Sequence, residues 1–159
     1  MTDFAFLITL VAFTFLTPRA SEYFKINMLL TGKFSLFIGI HYLLLRAGAT
    51  DGPSTDIYRG MLDLVFALVF TWIAFHSKSK IIPLISSSLG GYLAFLCLVM
   101  AGFHFTNAIY QIDIIDYTLI MIGFQILQLM ASAWGTIDGL YDRNRIHHSR
   151  FSTNIHKHS

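Results

Sequence analysis

Five long apolar stretches occupy almost all of this chain, and they constrain its fold more than any other feature. They cover residues 4–17, 26–45, 60–76, 81–105 and 114–137 of 159. A helix that crosses a bilayer needs roughly 17–25 apolar residues, and the last four stretches fall in this range. Only 13% of the residues are charged, whereas a soluble domain carries about a quarter. The sequence therefore predicts an all-α, polytopic bundle of transmembrane helices that is surrounded by lipid.

The number of spans depends on the first stretch, which is short and stops at Pro18. Five spans are predicted if this stretch crosses the membrane. The alternative is four spans preceded by an N-terminal helix that is in-plane or re-entrant. The transmembrane bundle is expected to cover residues 1–142. A basic, His-rich tail that lies in the cytoplasm is expected at 143–159.

Basic residues predict how the bundle is oriented, because loops on the cytoplasmic side are enriched in Lys and Arg. If every stretch crosses, one side receives Arg19, Lys25, Lys78, Lys80, Arg143, Arg145 and Arg150. We therefore expect a multi-pass protein of the cell (inner) membrane, with its C-terminus in the cytoplasm and its N-terminus outside. If the first stretch does not cross, the other four keep this orientation and the N-terminus lies inside.

Small and polar residues recur every three or four positions within the stretches, which places them on one face of each helix. Helices in lipid pack through such residues, since apolar contact between helices gains little there. The candidate packing residues are Gly39, Gly90, Ala94, Ala101, Ser132 and Gly135. These faces suit contacts within one protomer and also contacts between protomers.

Ionisable and amide side chains inside the apolar stretches are candidates for a functional interior. They are Lys33, His41, Asp63, Gln125 and Gln128. An Asp or Lys at the centre of a span costs about 2.5–3.5 kcal/mol on insertion scales, so such residues pair with each other or line water. Counting residues from the middle of each stretch places His41 and Asp63 at nearly the same depth, on neighbouring antiparallel helices. We therefore expect these two side chains to pair.

His41 and His104 are also candidate ligands of a haem or a metal ion, with Asp116 as a further candidate. Neutral imidazole is a common axial ligand, and a carboxylate is a common hydrogen-bond partner of a ligating histidine. The spacing of these residues along the chain fixes no geometry for such a site. Cys97 is the single cysteine, so neither a disulfide within the chain nor a cysteine-based metal site is expected.

Three functions fit this pattern. The first is a non-enzymatic membrane protein without a cofactor, acting as a homo-oligomer or as a small subunit of a larger membrane complex. The second is a proton- or ion-conducting channel, or a phage-type pore, lined by Asp63, His41 and Lys33. The third is an electron carrier that holds haem or a metal ion through His41 and His104. Nucleic-acid binding is not expected, because no basic face remains once the spans are removed.

Overall fold

The computed structural model describes residues 2–48, 52–76 and 83–155, with side chains for 4–48, 52–76 and 89–141. Every regular element in these ranges is an α-helix, which confirms the predicted all-α bundle. The helices are α1 (Thr2–Leu16), α2 (Glu22–Arg46), α3 (Pro53–His76), α4 (Pro83–Tyr110) and α5 (Ile114–Ile155). By length and composition, α2 to α5 can each cross a membrane, whereas the apolar part of α1, Phe4–Leu16, is shorter.

Local sequence signals account for where several of these helices begin and end. The Ser21 hydroxyl caps α2 by accepting a hydrogen bond from the amide of Tyr23 at 3.2 Å. Pro53 and Pro83 each occupy the first position of a helix, where the missing amide hydrogen costs nothing. After α4 the backbone turns sharply at Gln111, which has a positive φ of 50°. This turn directs the chain into α5.

The helices form a closed bundle in which each one contacts the next along the chain and α1 contacts α5. The α3–α4 pair makes the most extensive contact, and α2 touches all four other helices. Although α1 is short, it is integrated into the bundle, because Phe6 and Leu10 are buried with the core residues of the other helices. Because α2 touches every other helix, its inward-facing side chains lie in the interior of the bundle.

The helices extend beyond the apolar stretches from which they were predicted. α3 begins at Pro53, so its first two turns include Asp56 and Arg59, which precede the third apolar stretch. α5 continues to Ile155, since no Gly or Pro interrupts residues 140–155. Most of the segment predicted as a tail therefore prolongs this helix. Its four histidines lie outside the described side chains.

The predicted packing residues divide into two groups. Gly90, Ala94, Ala101, Ser132 and Gly135 are all buried within the protomer. A Cβ atom at Gly90 would lie 3.3 Å from the Cβ of Ala74, so this glycine lets α4 approach α3 closely. Gly39 is exposed, and nothing lies within 4 Å of the position of its absent Cβ.

Candidate functional site

An ion pair between Lys33 of α2 and Asp63 of α3 lies near the middle of the bundle. Each residue is only 3% exposed. The Lys33 ammonium also donates to the Cys97 thiol at 3.4 Å and approaches the Met100 sulfur at 4.0 Å. Asp63 therefore pairs with Lys33, and the expectation that it would pair with His41 was wrong.

The true length of α3 explains this change of partner. Asp63 lies about 8 Å from the middle of the predicted apolar stretch, but only about 2 Å from the middle of the observed helix. Lys33 lies about 2 Å from the middle of α2. Because the two helices are antiparallel, residues near both midpoints meet. The two extra turns at the start of α3 therefore bring the carboxylate to the level of the ammonium.

His104 of α4 connects Asp63 to the next helix. Its Nε2 atom lies 3.3 Å from Oδ2 of Asp63, and its Nδ1 atom lies 2.8 Å from the hydroxyl of Tyr117 in α5. The imidazole is 1% exposed. Because both ring nitrogens have polar partners, His104 could ligate haem or a metal ion only by giving up one of them.

Asp56, in the first turn of α3, is the next group along the network. Its Oδ1 atom accepts hydrogen bonds from the Tyr117 hydroxyl at 3.1 Å and from Arg59 at 3.2 Å. Its Oδ2 atom accepts one from the Asn107 amide at 2.7 Å. Asn107 also accepts from the backbone amide of Ile112 at 2.9 Å. The same amide side chain thus fastens the α4–α5 turn to α3.

His41 lies at the same end of the network as Asp56. Its Nδ1 atom lies 3.3 Å from Nη2 of Arg59, and the Arg59 guanidinium lies over the ring of Phe37 at 5.3 Å. All three residues predicted to line a conduction path, Lys33, His41 and Asp63, are therefore parts of one network. His41 reaches the others through Arg59 and Asp56.

A partly open cavity of about 480 Å³ adjoins this end of the network. The start of α3, the end of α4 and the start of α5 enclose it. Its lining residues are Gly52, Pro53, Asp56, Arg59, Asn107, Gln111, Ile112, Ile114, Tyr117 and Thr118. Polar groups and this volume together make the cavity suitable for several water molecules. Hydrogen bonds and ion pairs thus lead from this cavity, through Asp56, Tyr117, His104 and Asp63, to Lys33.

On the other side of Lys33 the fully buried side chains nearest to it are apolar. Leu30, Phe70 and Leu93 have no exposed surface, and Phe66 is also buried. These four residues are called the apolar layer below. Within the described side chains, Lys33 is the last ionisable group of the network before this layer.

A second buried polar cluster lies beyond the apolar layer and joins α1, α2 and α5. The Asn27 amide donates to the hydroxyls of Thr17 at 2.9 Å and Thr136 at 3.0 Å, and it accepts from Ser132 at 2.8 Å. Nearby, the Tyr23 hydroxyl donates to Asp138 at 2.6 Å. Since its hydroxyl and amide groups satisfy one another, this cluster fastens α1 to the rest of the bundle.

The remaining predicted site residues differ in their surroundings. Gln128 has no exposed surface, and its amide donates to the Met100 sulfur at 3.2 Å. Gln128 and Lys33 thus share a contact with Met100. Gln125 is half-buried, and Asp116 is exposed near the start of α5. No group of three or more His, Cys, Asp or Glu residues among the described side chains could hold a metal ion.

Four members of the network were not among the predicted site residues: Asp56, Arg59, Asn107 and Tyr117. Asp56 and Arg59 precede the third apolar stretch, and Asn107 follows the fourth. One signal was available in the sequence, because Pro53 followed by Ser-Thr-Asp is typical of a helix start. Tyr117 gave no such signal, since a tyrosine near the end of a span is ordinarily an interfacial anchor.

No known protein family, curated protein or solved structure matches this chain. Its function is therefore inferred from the chemistry of its own buried groups.

Proposed function

We propose that this protein conducts protons across a cell membrane, through the buried network that leads from the cavity to Lys33. One observation carries the proposal: Asp56, Tyr117, His104 and Asp63 make successive contacts of 2.8–3.3 Å. Chains of Asp, Glu and His inside membrane proteins are typical of proton relays. The proposed activity is transport, with no chemical reaction catalysed.

The direct contacts favour protons over larger ions. Asp63 is in contact with the Lys33 ammonium, which occupies the place that a metal cation would take beside the carboxylate. The relay groups touch one another directly, so an ion with a hydration shell has no space between them. A proton needs no such space, because it passes along an existing hydrogen bond while the donor and acceptor atoms stay in place.

The apolar layer is the proposed gate. A hydrophobic constriction blocks conduction while it is dry and permits it when water enters. In this proposal the cavity supplies protons to Asp56, and the network stores them next to Lys33. A proton crosses the layer only when water briefly connects Lys33 with the polar cluster around Asn27. The protein is therefore expected to conduct slowly, as a gated path does.

The proposed orientation follows from the basic residues of the loops. We place the cavity on the outer surface of the inner membrane and the C-terminal end of α5 in the cytoplasm, with all five helices crossing. This arrangement puts Arg19 and Lys25 on the cytoplasmic side, as the positive-inside rule requires. The short α1 crosses together with α2 and α5, to which the Asn27 cluster fastens it.

We further propose that the conducting unit works as a homo-oligomer or as a small subunit of a larger membrane complex. Gly39 of α2 and Gly123 of α5 both face outward, with open space where a side chain would be. Small residues on outward faces allow helices of neighbouring subunits to approach closely. A haem or metal role is less favoured, because His104 holds both Asp63 and Tyr117.

Proton flux into liposomes tests the proposed function. The purified protein is reconstituted with an internal pH-sensitive dye, and a potassium gradient with valinomycin drives protons inward. Wild-type protein is expected to acidify the lumen faster than empty liposomes do. Tyr117→Phe removes only the relay hydroxyl and is expected to lower the flux by about 10²-fold, the lower end of what a proton-transferring side chain contributes.

Tyr110→Phe is the matched control, because it makes the same change at a tyrosine that is 76% exposed. This variant is expected to conduct like the wild type. Wild-type flux equal to that of empty liposomes would overturn the proposal. So would equal flux through Tyr117→Phe and the wild type.

A further inference from the structure

We propose that copies of this chain associate side by side in the membrane, with the outward face of α2 of one copy packed against the outward face of α5 of the next. A second copy of the chain thus covers each face. This inference deepens the proposed function and rests on its homo-oligomeric form, since it identifies the faces that meet and their register. Three matched features carry it: a pair of glycines, a large side chain opposite a third glycine, and a pair of opposite charges.

Each face contains a row of residues that are seven positions apart. Seven residues make about two helical turns, so the members of a row point the same way. The row on α2 is Gly32, Gly39 and Arg46, and the row on α5 is Asp116, Gly123 and Met130. All of them are exposed except Gly32, which is half-buried. Among the described residues, nothing lies within 4 Å of the Cβ position of these three glycines, so both rows can receive another helix.

Hydrogen bonds within one protomer fix the relative depth of the two rows. They join α2 to α5 at two levels and show that the helices are antiparallel, and one of them runs from Tyr23 to Asp138. Gly39 lies sixteen residues beyond Tyr23, and Gly123 lies fifteen residues before Asp138. At about 1.5 Å per residue, the two glycines are about 24 Å and about 22 Å from that bond along the helix axes. They therefore lie at nearly the same depth.

Copies that are inserted in the same orientation present these rows to each other in antiparallel register. Gly39 of one copy then faces Gly123 of the next, and the two backbones can approach closely because neither residue has a side chain. Seven residues away from the cavity end, Met130 faces Gly32. Met130 is 63% exposed in the protomer, and its flexible side chain fits the open space beside this glycine.

Seven residues toward the cavity end, the same alignment places Arg46 opposite Asp116. Within the described part of the chain, neither residue has an ion-pair partner in its own protomer. An exposed ion pair adds little stability, but opposite charges select the partner and the register. Two α2 faces related by a two-fold axis along the membrane normal would bring two Arg46 side chains together, and two α5 faces would do the same with Asp116. The charges therefore favour α2 against α5.

This contact joins two different faces, so every copy can use both of them. Such heterologous contacts close into a ring when the rotation between neighbours permits it. Lys33 of α2 and Gln128 of α5 are buried on the inward sides of their helices. Each copy in the assembly therefore keeps its own complete network and its own path.

Disulfide cross-linking in membranes tests which faces meet. Full-length Cys97→Ala protein carries either Gly39→Cys or Gly123→Cys, and membranes that contain both variants are oxidised with copper phenanthroline. We expect a cross-linked dimer from the mixture and none from either variant alone. The control mixture combines Gly123→Cys with Gly102→Cys, an exposed glycine of α4 with open space at its Cβ position, and is expected to stay monomeric. A dimer from Gly39→Cys alone, or none from the mixture, would overturn the inference.

Leucine at the same glycines tests the close approach. Energy transfer between donor- and acceptor-labelled copies in liposomes measures their association. Gly39→Leu and Gly123→Leu are expected to lower the association constant by about tenfold, which corresponds to ~1.4 kcal/mol, whereas Gly102→Leu associates like the wild type. All three variants should keep wild-type stability, since the added side chain meets open space in the protomer. Wild-type association of Gly39→Leu would contradict the proposed contact.

The two proposals fail in different ways. A protein that cross-links as expected but shows no flux above that of empty liposomes retains the interface and refutes proton conduction. A protein that conducts but stays monomeric refutes the interface and retains conduction through a single protomer.

Discussion

At the scale of single residues, Lys33 and Asp63 depend on each other. A charge in the interior of a membrane protein loses its hydration, and only a close partner of opposite sign compensates for that loss. The Lys33 ammonium has Asp63 as its carboxylate partner, while its other polar contacts are the sulfur atoms of Cys97 and Met100. Sulfur is a weak acceptor, so these contacts cannot replace the carboxylate. Losing either charge therefore leaves the other one buried without compensation.

A double-mutant cycle tests this dependence. Lys33→Met and Asp63→Asn are each expected to lower the free energy of unfolding by about 3–5 kcal/mol, the usual cost of removing one partner of a buried ion pair. The double variant is expected to be more stable than either single variant, because it contains no unpaired charge. Unfolding by a denaturing detergent, followed by circular dichroism, measures all four proteins.

Lys25→Met serves as the control for this cycle. Lys25 lies in the same helix but is exposed, so its replacement is expected to change stability by no more than about 0.5 kcal/mol. Costs that simply add in the double variant would show that the two side chains do not interact.

Sequence reasoning found the ionisable residues of the interior but not all of their partners. Lys33, Asp63 and His104 could be predicted, because charged and imidazole groups are rare within apolar stretches. The pairing of Lys33 with Asp63 could not, because it depends on helix ends that apolar residues alone do not define. Tyr117 escaped notice since its hydroxyl gains a role only from two polar partners on other helices.

At the scale of helices, close packing of α3 against α4 is what positions the network. A Cβ atom at Gly60 would lie 2.7 Å from the Phe105 ring. Gly90 provides a second close approach to Ala74, nearer the other end of the pair. Asp63 and His104 lie between these two contacts. The glycines therefore hold the carboxylate of α3 within reach of the imidazole of α4.

Adjacent glycines in α4 allow a matched test of this packing. Gly90→Leu is expected to force α3 and α4 apart and to lower the free energy of unfolding by about 1–3 kcal/mol, the usual cost of overpacking. Gly91→Leu adds the same side chain one position along, where nothing lies within 4 Å, and is expected to cost no more than about 0.5 kcal/mol. Detergent unfolding compares the two variants, and equal losses of stability would contradict the packing that the glycines imply.

The small-residue pattern predicted close packing, but not between which helices. Spacing of three and four residues identifies a face, and Gly90, Ala94 and Ala101 do lie on a buried one. The sequence left open whether this face contacts a helix of the same protomer or of another. Within the protomer, α4 uses it against α3. Gly39 is also a glycine that recurs with small residues at helical spacing, yet it faces outward.

At the scale of the whole molecule, the distribution of polar groups is the reverse of that in a soluble protein. Large apolar side chains cover the outside, such as Phe95, Leu68 and Ile137, which are 62%, 66% and 68% exposed. The two polar clusters lie inside, one on each side of the apolar layer. An exterior of this kind is compatible with the lipid environment that composition predicts, as are four helices long and apolar enough to cross a membrane.

We propose that lipid surrounds the bundle and that the cavity opens at one membrane surface. The most direct measurement is labelling by a membrane-impermeant maleimide of single cysteines introduced into a Cys97→Ala background. Three positions are compared in sealed vesicles of each orientation: Thr118 beside the cavity, Lys25 near the opposite end, and Phe95 near the middle of α4.

Thr118→Cys is expected to react only from outside and Lys25→Cys only from the cytoplasmic side. Phe95→Cys is expected to stay unlabelled until the membrane is dissolved and the protein unfolded, although its side chain lies on the surface of the protein. Labelling of Thr118→Cys and Lys25→Cys from the same side would contradict the account. Rapid labelling of Phe95→Cys in intact vesicles would contradict it as well.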